Sequence, residues 1–300
     1  MKAARFSRFG APEVLEIVDL PDPRPAAGQV RIAVRAAGVN ASDWKKRQGL
    51  MDPDLPQTMG YEAAGIVDEL GEGVTDVAVG DRVFGLSEGG AAQAERVVLS
   101  WYAPIPASLD FASAAALPVA GETSARALDQ LGVEAGDTLL VNGASGSVGT
   151  AAVQLAVARG VRVIGTGSAA THDFLRSLGA EPVAYGEGMP ERVRALAADG
   201  VDFALDVAGN GVLPELADLA GGPEHVITVA DFAGAQRHGV RFSRGDGGRA
   251  YYVLAEIGRL ADAGRFVVRV GGTFPLAGIA EAHRAGEAGR VRGKLVLLMG

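Results

Sequence analysis

The chain has 300 residues, 48% of them hydrophobic and 21% charged, with 43 glycines, no cysteine and a formal net charge of −8. These proportions predict a globular protein of one large or two ordinary domains. The negative charge argues against nucleic acid as a partner, because phosphate backbones are held by basic surfaces, and the lack of cysteine excludes disulfides, thiolate zinc sites and cysteine nucleophiles.

Residues 1–16 lack the apolar core of a secretory signal, so a cytoplasmic protein with no membrane partner is expected. Residues 1–100 read as short strands. In "QVRIAVRAAGVN", Val30, Ile32 and Val34 alternate with polar or small residues, a period of two. "EAAGIVDELG", "GDRVFGL" and "AERVVLS" are further apolar runs between glycine-containing turns. "DLPDPRPAAG" carries Pro21, Pro23 and Pro25 and can be only an edge or a connector, since proline gives nothing to a sheet ladder. A β-rich domain, open or barrel-like, is predicted.

The pattern then changes. "ETSARALDQLGV" predicts a helix stopped at Gly132, "DTLLVNG" a buried strand, and "GTAAVQLAVARG" a helix ending at Gly160. "VRVIGTG" follows as a strand, and "THDFLRSLGA" as a short helix capped by Thr171 and ended by Gly179. "PERVRALAADG" has proline at its start and glycine past its end. "VDFALDVAG" and "HVITVAD" are strands without polar alternation, as in a sheet covered on both faces. Alternating strands and helices predict a parallel sheet. "YYVLAEIGRLADAG" reads as a helix on which Tyr251, Tyr252, Leu254 and Ile257 pack at helical spacing. "RFVVRV", a helix in "LAGIAEAHRAGEAG" and a last strand "KLVLLM" complete the chain.

From Thr138 to Ala158 no side chain is charged, a run long enough to pose the question of a membrane span. Its middle, "NGASGSVG", suits a turn instead. Ala144-x-Gly146-x-x-Gly149 stands directly after a strand and opens a helix, differing from Gly-x-Gly-x-x-Gly only in the first place. Gly146 lets the main chain approach a pyrophosphate, Gly149 lets the helix pack on its strand, and the free N–H groups receive the anion. Ala144, Ser145, Gly146, Ser147, Val148 and Gly149 are therefore expected to bind a dinucleotide. An NAD site wants a carboxylate about 20 residues on. The second strand ends instead in Gly165, Thr166, Gly167 and Ser168, and no acid appears before Asp173. This favours NADPH, with Ser168, His172 and Tyr185 within reach of the 2′-phosphate.

With these landmarks the chain resembles the medium-chain dehydrogenase/reductase superfamily, in its zinc-free quinone oxidoreductase branch. "GVNASDWKKRQG", "GYEAAGIVDELGEGVTDVAVGDRVFG", "LPVAGETSARAL", "NGASGSVGTAAVQLA", "HDFLRSLGAE", "FPLAGIAEAH" and "RGKLVL" carry the resemblance in order along the chain. It implies an α/β fold. A GroES-like β-rich catalytic domain (1–112 and 264–300) is interrupted by a Rossmann doubly wound parallel-sheet domain (113–263), with the active site in the cleft. Zinc-dependent relatives would carry a cysteine near Asn40, a histidine at Tyr61 and a third ligand. Here Glu62 is left as a lone carboxylate, and His172, His225, His238 and His283 have no metal-ligand spacing. No metal is expected.

Without zinc, alcohol oxidation is difficult, whereas a quinone or an activated C=C accepts hydride into its own conjugated carbonyl. The protein must hold the nicotinamide against the electrophilic carbon and donate hydrogen bonds to the developing oxyanion. Asn40 and Tyr61 are the expected catalytic donors. Asn40 reads equally as a turn residue or helix cap, and Tyr61 as a packing residue of the cleft. Trp44 and Arg47 flank the same segment, with Trp44 equally a core residue. The resemblance places Thr123 and Lys294 near the cofactor, although Thr123 also reads as a cap and Lys294 as a surface lysine. Ala208, with Gly209, and Val229 and Ala230 follow later strands at the ligand-bearing edge and are expected to touch the cofactor.

The reading is an NADPH-dependent oxidoreductase acting on a small hydrophobic quinone or enone. The rival is an enoyl reductase of a biosynthetic route with a defined enone or acyl thioester. A short-chain dehydrogenase would need Tyr-x-x-x-Lys, which the chain lacks. A lens-type or RNA-binding relative, or a redox-sensing adaptor, would bind NADPH without turnover. "VRFS" at 240–243 is expected to be a sheet edge that helps form a homodimer.

Overall fold

The computed structural model describes residues 1–289 and 291–300. In chain order the first elements are β1 (Lys2–Phe6), β2 (Glu16–Asp19), β3 (Val30–Val39), α1 (Ala41–Arg47), β4 (Gln57–Thr58), β5 (Glu62–Leu70), β6 (Arg82–Leu86), β7 (Arg96–Leu99) and β8 (Trp101–Pro104). Then come α2 (Phe111–Ala115), α3 (Pro118–Leu131), β9 (Thr138–Asn142), α4 (Ser147–Ala158), β10 (Arg162–Gly167), α5 (His172–Ser177), β11 (Glu181–Ala184), α6 (Met189–Leu196) and β12 (Phe203–Asp206). The remainder is α7 (Leu213–Leu219), β13 (Val226–Thr228), α8 (Phe232–His238), β14 (Arg241–Phe242), α9 (Val253–Asp262), β15 (Val270–Pro275), α10 (Ile279–Glu287) and β16 (Lys294–Leu298).

The chain divides into two compact units, Met1–Val119 with Leu254–Gly300, and Ala120–Val253. The division falls later than 112/113 and earlier than 263/264 for local reasons. The Val119 N–H donates to Glu62 in the first unit, and α9 rests there, with Gly258 against Phe84 and Asp262 accepting from Ser108.

The first unit is β-rich. Its large sheet runs β15-β16-β3-β5-β6-β8, with β7 also on β3, and a smaller sheet runs β2-β1-β4. Val30, Ile32 and Val34 face the core as the period of two predicts. From Ala36 to Val39 the strand is buried on both faces. The proline segment 20–29 forms no strand and is a connector.

The second unit is a six-stranded sheet in the order β11-β10-β9-β12-β13-β14, parallel throughout. Its strands are continuous apolar runs because helices cover both faces. The order reverses between β9 and β12, so the loops leaving those two strands diverge and open a crevice at the carboxyl edge. The uncharged run resolves into β9, a turn and α4. That helix has 12 residues, about 18 Å, and is buried nearly all round as a core helix is. No helix among the described residues is long and apolar enough to cross a membrane.

Two local expectations fail. Thr171 does not cap α5, since its hydroxyl donates to the Ser168 carbonyl at 2.8 Å and closes the preceding turn. Tyr251 and Tyr252 precede α9 rather than pack along it. The Tyr252 hydroxyl donates to Asp129 at 2.7 Å, while Leu254 and Ile257 are buried as predicted.

Candidate active site

In the second unit the turn after β9 is built by Gly143, which takes φ +84°, a left-handed conformation that glycine adopts without strain. The first fingerprint position, Ala144, is buried against Gly165 of β10, where an added Cβ would stand 2.8 Å from the Ala144 methyl. Alanine is tolerated there because glycine faces it. Gly149 is a steric necessity, since a Cβ there would lie 2.7 Å from the Ala144 Cα. Gly146 precedes α4 as its N-cap in extended conformation, and a Cβ there would meet nothing nearer than 3.5 Å. The packing of the fold therefore does not require glycine at 146. Ser145, Ser147 and Val148 are half-buried beside it, and the Ser124 hydroxyl of α3 donates to the Val148 carbonyl at 2.8 Å. Thr123 is half-buried in the interior of α3, so it is not a cap.

A row of polar side chains that the sequence reading missed runs beneath these loops. Thr166, Asn142, Asp206 and Thr228 stand at the carboxyl ends of β10, β9, β12 and β13, four adjacent strands, and all are buried. The Thr166 hydroxyl donates to Asn142 Oδ1 (2.8 Å), Asn142 Nδ2 to Asp206 Oδ1 (2.9 Å), and the Thr228 hydroxyl to Asp206 Oδ2 (2.7 Å). Each member also holds a loop. Thr166 accepts from Gly143 N, Asp206 from Ala208 N and Gly209 N, and Thr228 from Ala230 N and Asp231 N. The signal was present in sequence as a polar residue ending each apolar run, but only strand order shows that the four are neighbours. Ala208, Val229 and Ala230 lie on the loops so held.

At the end of β10, Ser168 and His172 are half-buried and Tyr185 is exposed after β11. Ala184 pairs with Gly167, and its carbonyl accepts from Arg192 Nε and Nη2 at 3.1 and 2.9 Å. A guanidinium thus stands one strand over from Gly167, although no cation is near it in sequence. The loop, the switch point and the orphan N–H groups of α4 fit a dinucleotide pyrophosphate.

In the first unit, Asn40 follows β3 and is the N-cap of α1, in a capping box with Asp43, so the cap reading of the sequence holds, and its side chain also reaches beyond the helix. Asn40 Nδ2 donates to Glu62 Oε1 (2.9 Å), and Lys294 Nζ donates to Asn40 Oδ1 and pairs with Glu62 Oε1 (2.6 Å). Glu62 Oε2 accepts the Val119 N–H at 2.7 Å. Glu62 is therefore not a lone carboxylate, and Lys294 is not a surface lysine, since both are buried. Gly38 makes room for the pair, as a Cβ there would lie 2.6 Å from the Glu62 carboxyl carbon. Asp43 accepts the Asn40 backbone N–H (2.7 Å) and Gln93 Nε2 (3.2 Å). Burial pushes its pKa up to about 6, against the pull of the Asn40 N–H and Lys294. Burial lowers the pKa of Lys46, whose ammonium lies 5.5 Å from the centre of the half-buried Tyr61 ring. Trp44 and Arg47 face α10. Trp44 packs edge-on to His283, and the buried Arg47 pairs with Glu287.

This donor set does not fit zinc. Glu62 is already neutralised by the Lys294 ammonium, which also takes the Asn40 amide oxygen, and Asp43 is engaged by the Asn40 N–H and Gln93. Among the described residues no cluster of three or more His, Asp or Glu could hold a metal.

A crevice at a switch point, lined by a glycine loop and joined in one chain to a β-rich unit, defines a dinucleotide-dependent oxidoreductase of two units. Residues 26–105 match the alcohol dehydrogenase GroES-like domain family, and residues 178–297 the zinc-binding dehydrogenase family. The chain is 38% identical to a quinone oxidoreductase of Rattus norvegicus over 70% of its own length and 67% of the relative's. It is 35% identical, over 98% of its length, to the spectinabilin polyketide synthase system protein NorB of Streptomyces orinoci, of which it spans only 14%. A mycobacterial protein solved in complex with NADPH superimposes with a TM-score of 0.83 at 29% identity, over 99% of this chain and 100% of that one. The chain belongs to the medium-chain dehydrogenase/reductase superfamily, in the zinc-free quinone oxidoreductase branch.

Proposed function

We propose that this protein is an NADPH-dependent oxidoreductase that reduces a quinone or an α,β-unsaturated carbonyl without a metal. The observation that carries the reading is the glycine loop at the switch point, in a chain whose polar cluster is closed by lysine and not by metal ligands. NADPH, when bound, supplies the hydride. The α4 N-terminus and Gly146 receive the pyrophosphate, with the loops of Ala208, Val229 and Ala230 around the rest. Ser168, His172 and Tyr185, with Arg192 one strand away, favour the 2′-phosphate, and no carboxylate stands at the end of β10 to repel it. Asn40 donates an amide hydrogen to the oxygen that gains charge as the conjugated carbon accepts hydride, and Tyr61 is the second donor. A cytoplasmic setting is part of the same reading.

The test is loss of reduced-nicotinamide absorbance with an ortho-quinone, run with NADPH and NADH in parallel. Fast, saturable loss with NADPH alone is expected. No turnover despite demonstrated NADPH binding would replace this reading with a pathway-specific enoyl reductase, which the likeness to a segment of NorB favours, or with a non-catalytic NADPH binder. We also propose a homodimer formed in part along β14, the edge of the parallel sheet, where exposed Phe232 packs edge-on to Phe242 beneath Arg244. Gel filtration showing only monomer would exclude it.

A further inference from the structure

We infer that Glu62 and Lys294 are positioning residues that lock the Asn40 side chain in one orientation and aim its second amide hydrogen at the substrate oxygen. The inference rests on the proposed role of Asn40 as oxyanion donor. An asparagine amide is nearly symmetric in shape, and only its partners decide which end is nitrogen. Here both partners carry charge. Lys294 donates to Oδ1, and Glu62 accepts from Nδ2 at 2.9 Å. Rotating the amide by half a turn would set its NH2 against an ammonium and its oxygen against a carboxylate, inside a site where both charges are buried.

Two features show that the arrangement is built for the amide. The backbone of Asn40 is fixed separately, by Asp43 on its N–H, and Glu62 is itself fixed by the Val119 N–H at 2.7 Å. Asn40 keeps 9% of its surface, against 0% for Glu62 and 3% for Lys294. Of the three, it is the one with most surface left for a ligand. A buried ion pair is poor evidence of stabilisation, but fixing one conformation is a use to which such pairs are put.

Lys294→Met and Glu62→Gln remove one charge each, and the Glu62→Gln/Lys294→Met pair removes both, so no single charge is stranded if a single variant fails to fold. Each would be made in the parent and in an Asn40→Ala background. Asn40→Ala is expected to lower kcat about a hundredfold, and the Glu62/Lys294 pair variant about tenfold or more. The pair variant should lower kcat more than it weakens NADPH affinity, followed by fluorescence, and a Kd weakened as much as kcat falls would overturn the inference by making Lys294 a cofactor contact. In the Asn40→Ala background the pair variant should cost nothing further in kcat, since both act through one amide. Independently of turnover, the Asn40 side-chain NH2 resonances should be displaced from random-coil positions and protected from solvent exchange in the parent, and should move toward random-coil positions and exchange faster with solvent in the pair variant. Unchanged NH2 resonances, or losses that multiply in the Asn40→Ala background, would overturn the inference while leaving the proposed function standing. Full kcat in Asn40→Ala would instead overturn the donor role and the inference with it.

Discussion

Asn142 and Asp206, 64 residues apart in sequence, end neighbouring strands and meet through a 2.9 Å hydrogen bond between Nδ2 and Oδ1. The Asp206 carboxylate also accepts from Thr228 and from the Ala208 and Gly209 N–H groups, so one buried side chain ties both sides of the switch point. Asp206→Ala would leave these donors without an acceptor in a buried place. It is expected to cost about 3 kcal/mol of stability and to weaken NADPH binding. Denaturant unfolding and fluorescence titration check the two effects, and Asp206→Asn, which keeps one acceptor oxygen, should be milder in both.

Gly146 and Gly149 should separate binding from folding. Gly149→Ala drives a methyl into the backbone of Ala144, which cannot give way, and should destabilise the protein by about 2 kcal/mol or more. Gly146→Ala has 3.5 Å of clearance and should melt like the parent, yet lose NADPH affinity because the methyl occupies the pyrophosphate's place. A thermal melt with a nucleotide titration on both variants is the check.

Gly38→Ala tests the room left for Glu62. The added methyl would lie 2.6 Å from the carboxyl carbon, so Glu62 must leave Lys294 and Asn40 or β3 must shift. A loss of about 3 kcal/mol is expected in urea unfolding, as for breaking a buried ion pair.

Two buried groups of the first unit oppose each other in acid. His283 is neutral in the fold, its pKa lowered from 6.5 to about 3 by burial and then by Arg47. Its contribution is whole above pH 6.5 and is lost as pH falls toward 3. Asp43 is raised from 3.8 to about 6 by burial, so its protonation favours the fold, fully below pH 3.8, and that gain is lost as pH rises through 6. Between pH 6 and 3.8 the two slopes, each about 1.4 kcal/mol per pH unit, cancel. Asp43→Asn removes the compensation. Relative to the parent it should lose about 3 kcal/mol between pH 6 and 4, read from urea unfolding at the two pH values.

Much of the second unit was legible because its signals are local. Glycines at 132, 160 and 179 follow the ends of their helices in left-handed conformation, and apolar runs without alternation mark strands covered on both faces. Local rules erred where a side chain had a nonlocal or competing partner. Thr171 closes a turn instead of capping, Tyr252 reaches Asp129, and Lys294 pairs with Glu62 instead of lying at the surface.

The sequence by itself determined the class of protein, the glycine loop and the lack of thiolate ligands, since spacing and composition are properties of the linear chain. Tertiary structure alone decided that Thr166, Asn142, Asp206 and Thr228 form one row, that Arg192 stands one strand over from Gly167, on the Ala184 carbonyl, and that Lys294 neutralises Glu62. Hydrogen bonds and ion pairs depend on distance in space, and residues 254 positions apart, as Asn40 and Lys294 are, become neighbours only when β16 pairs with β3.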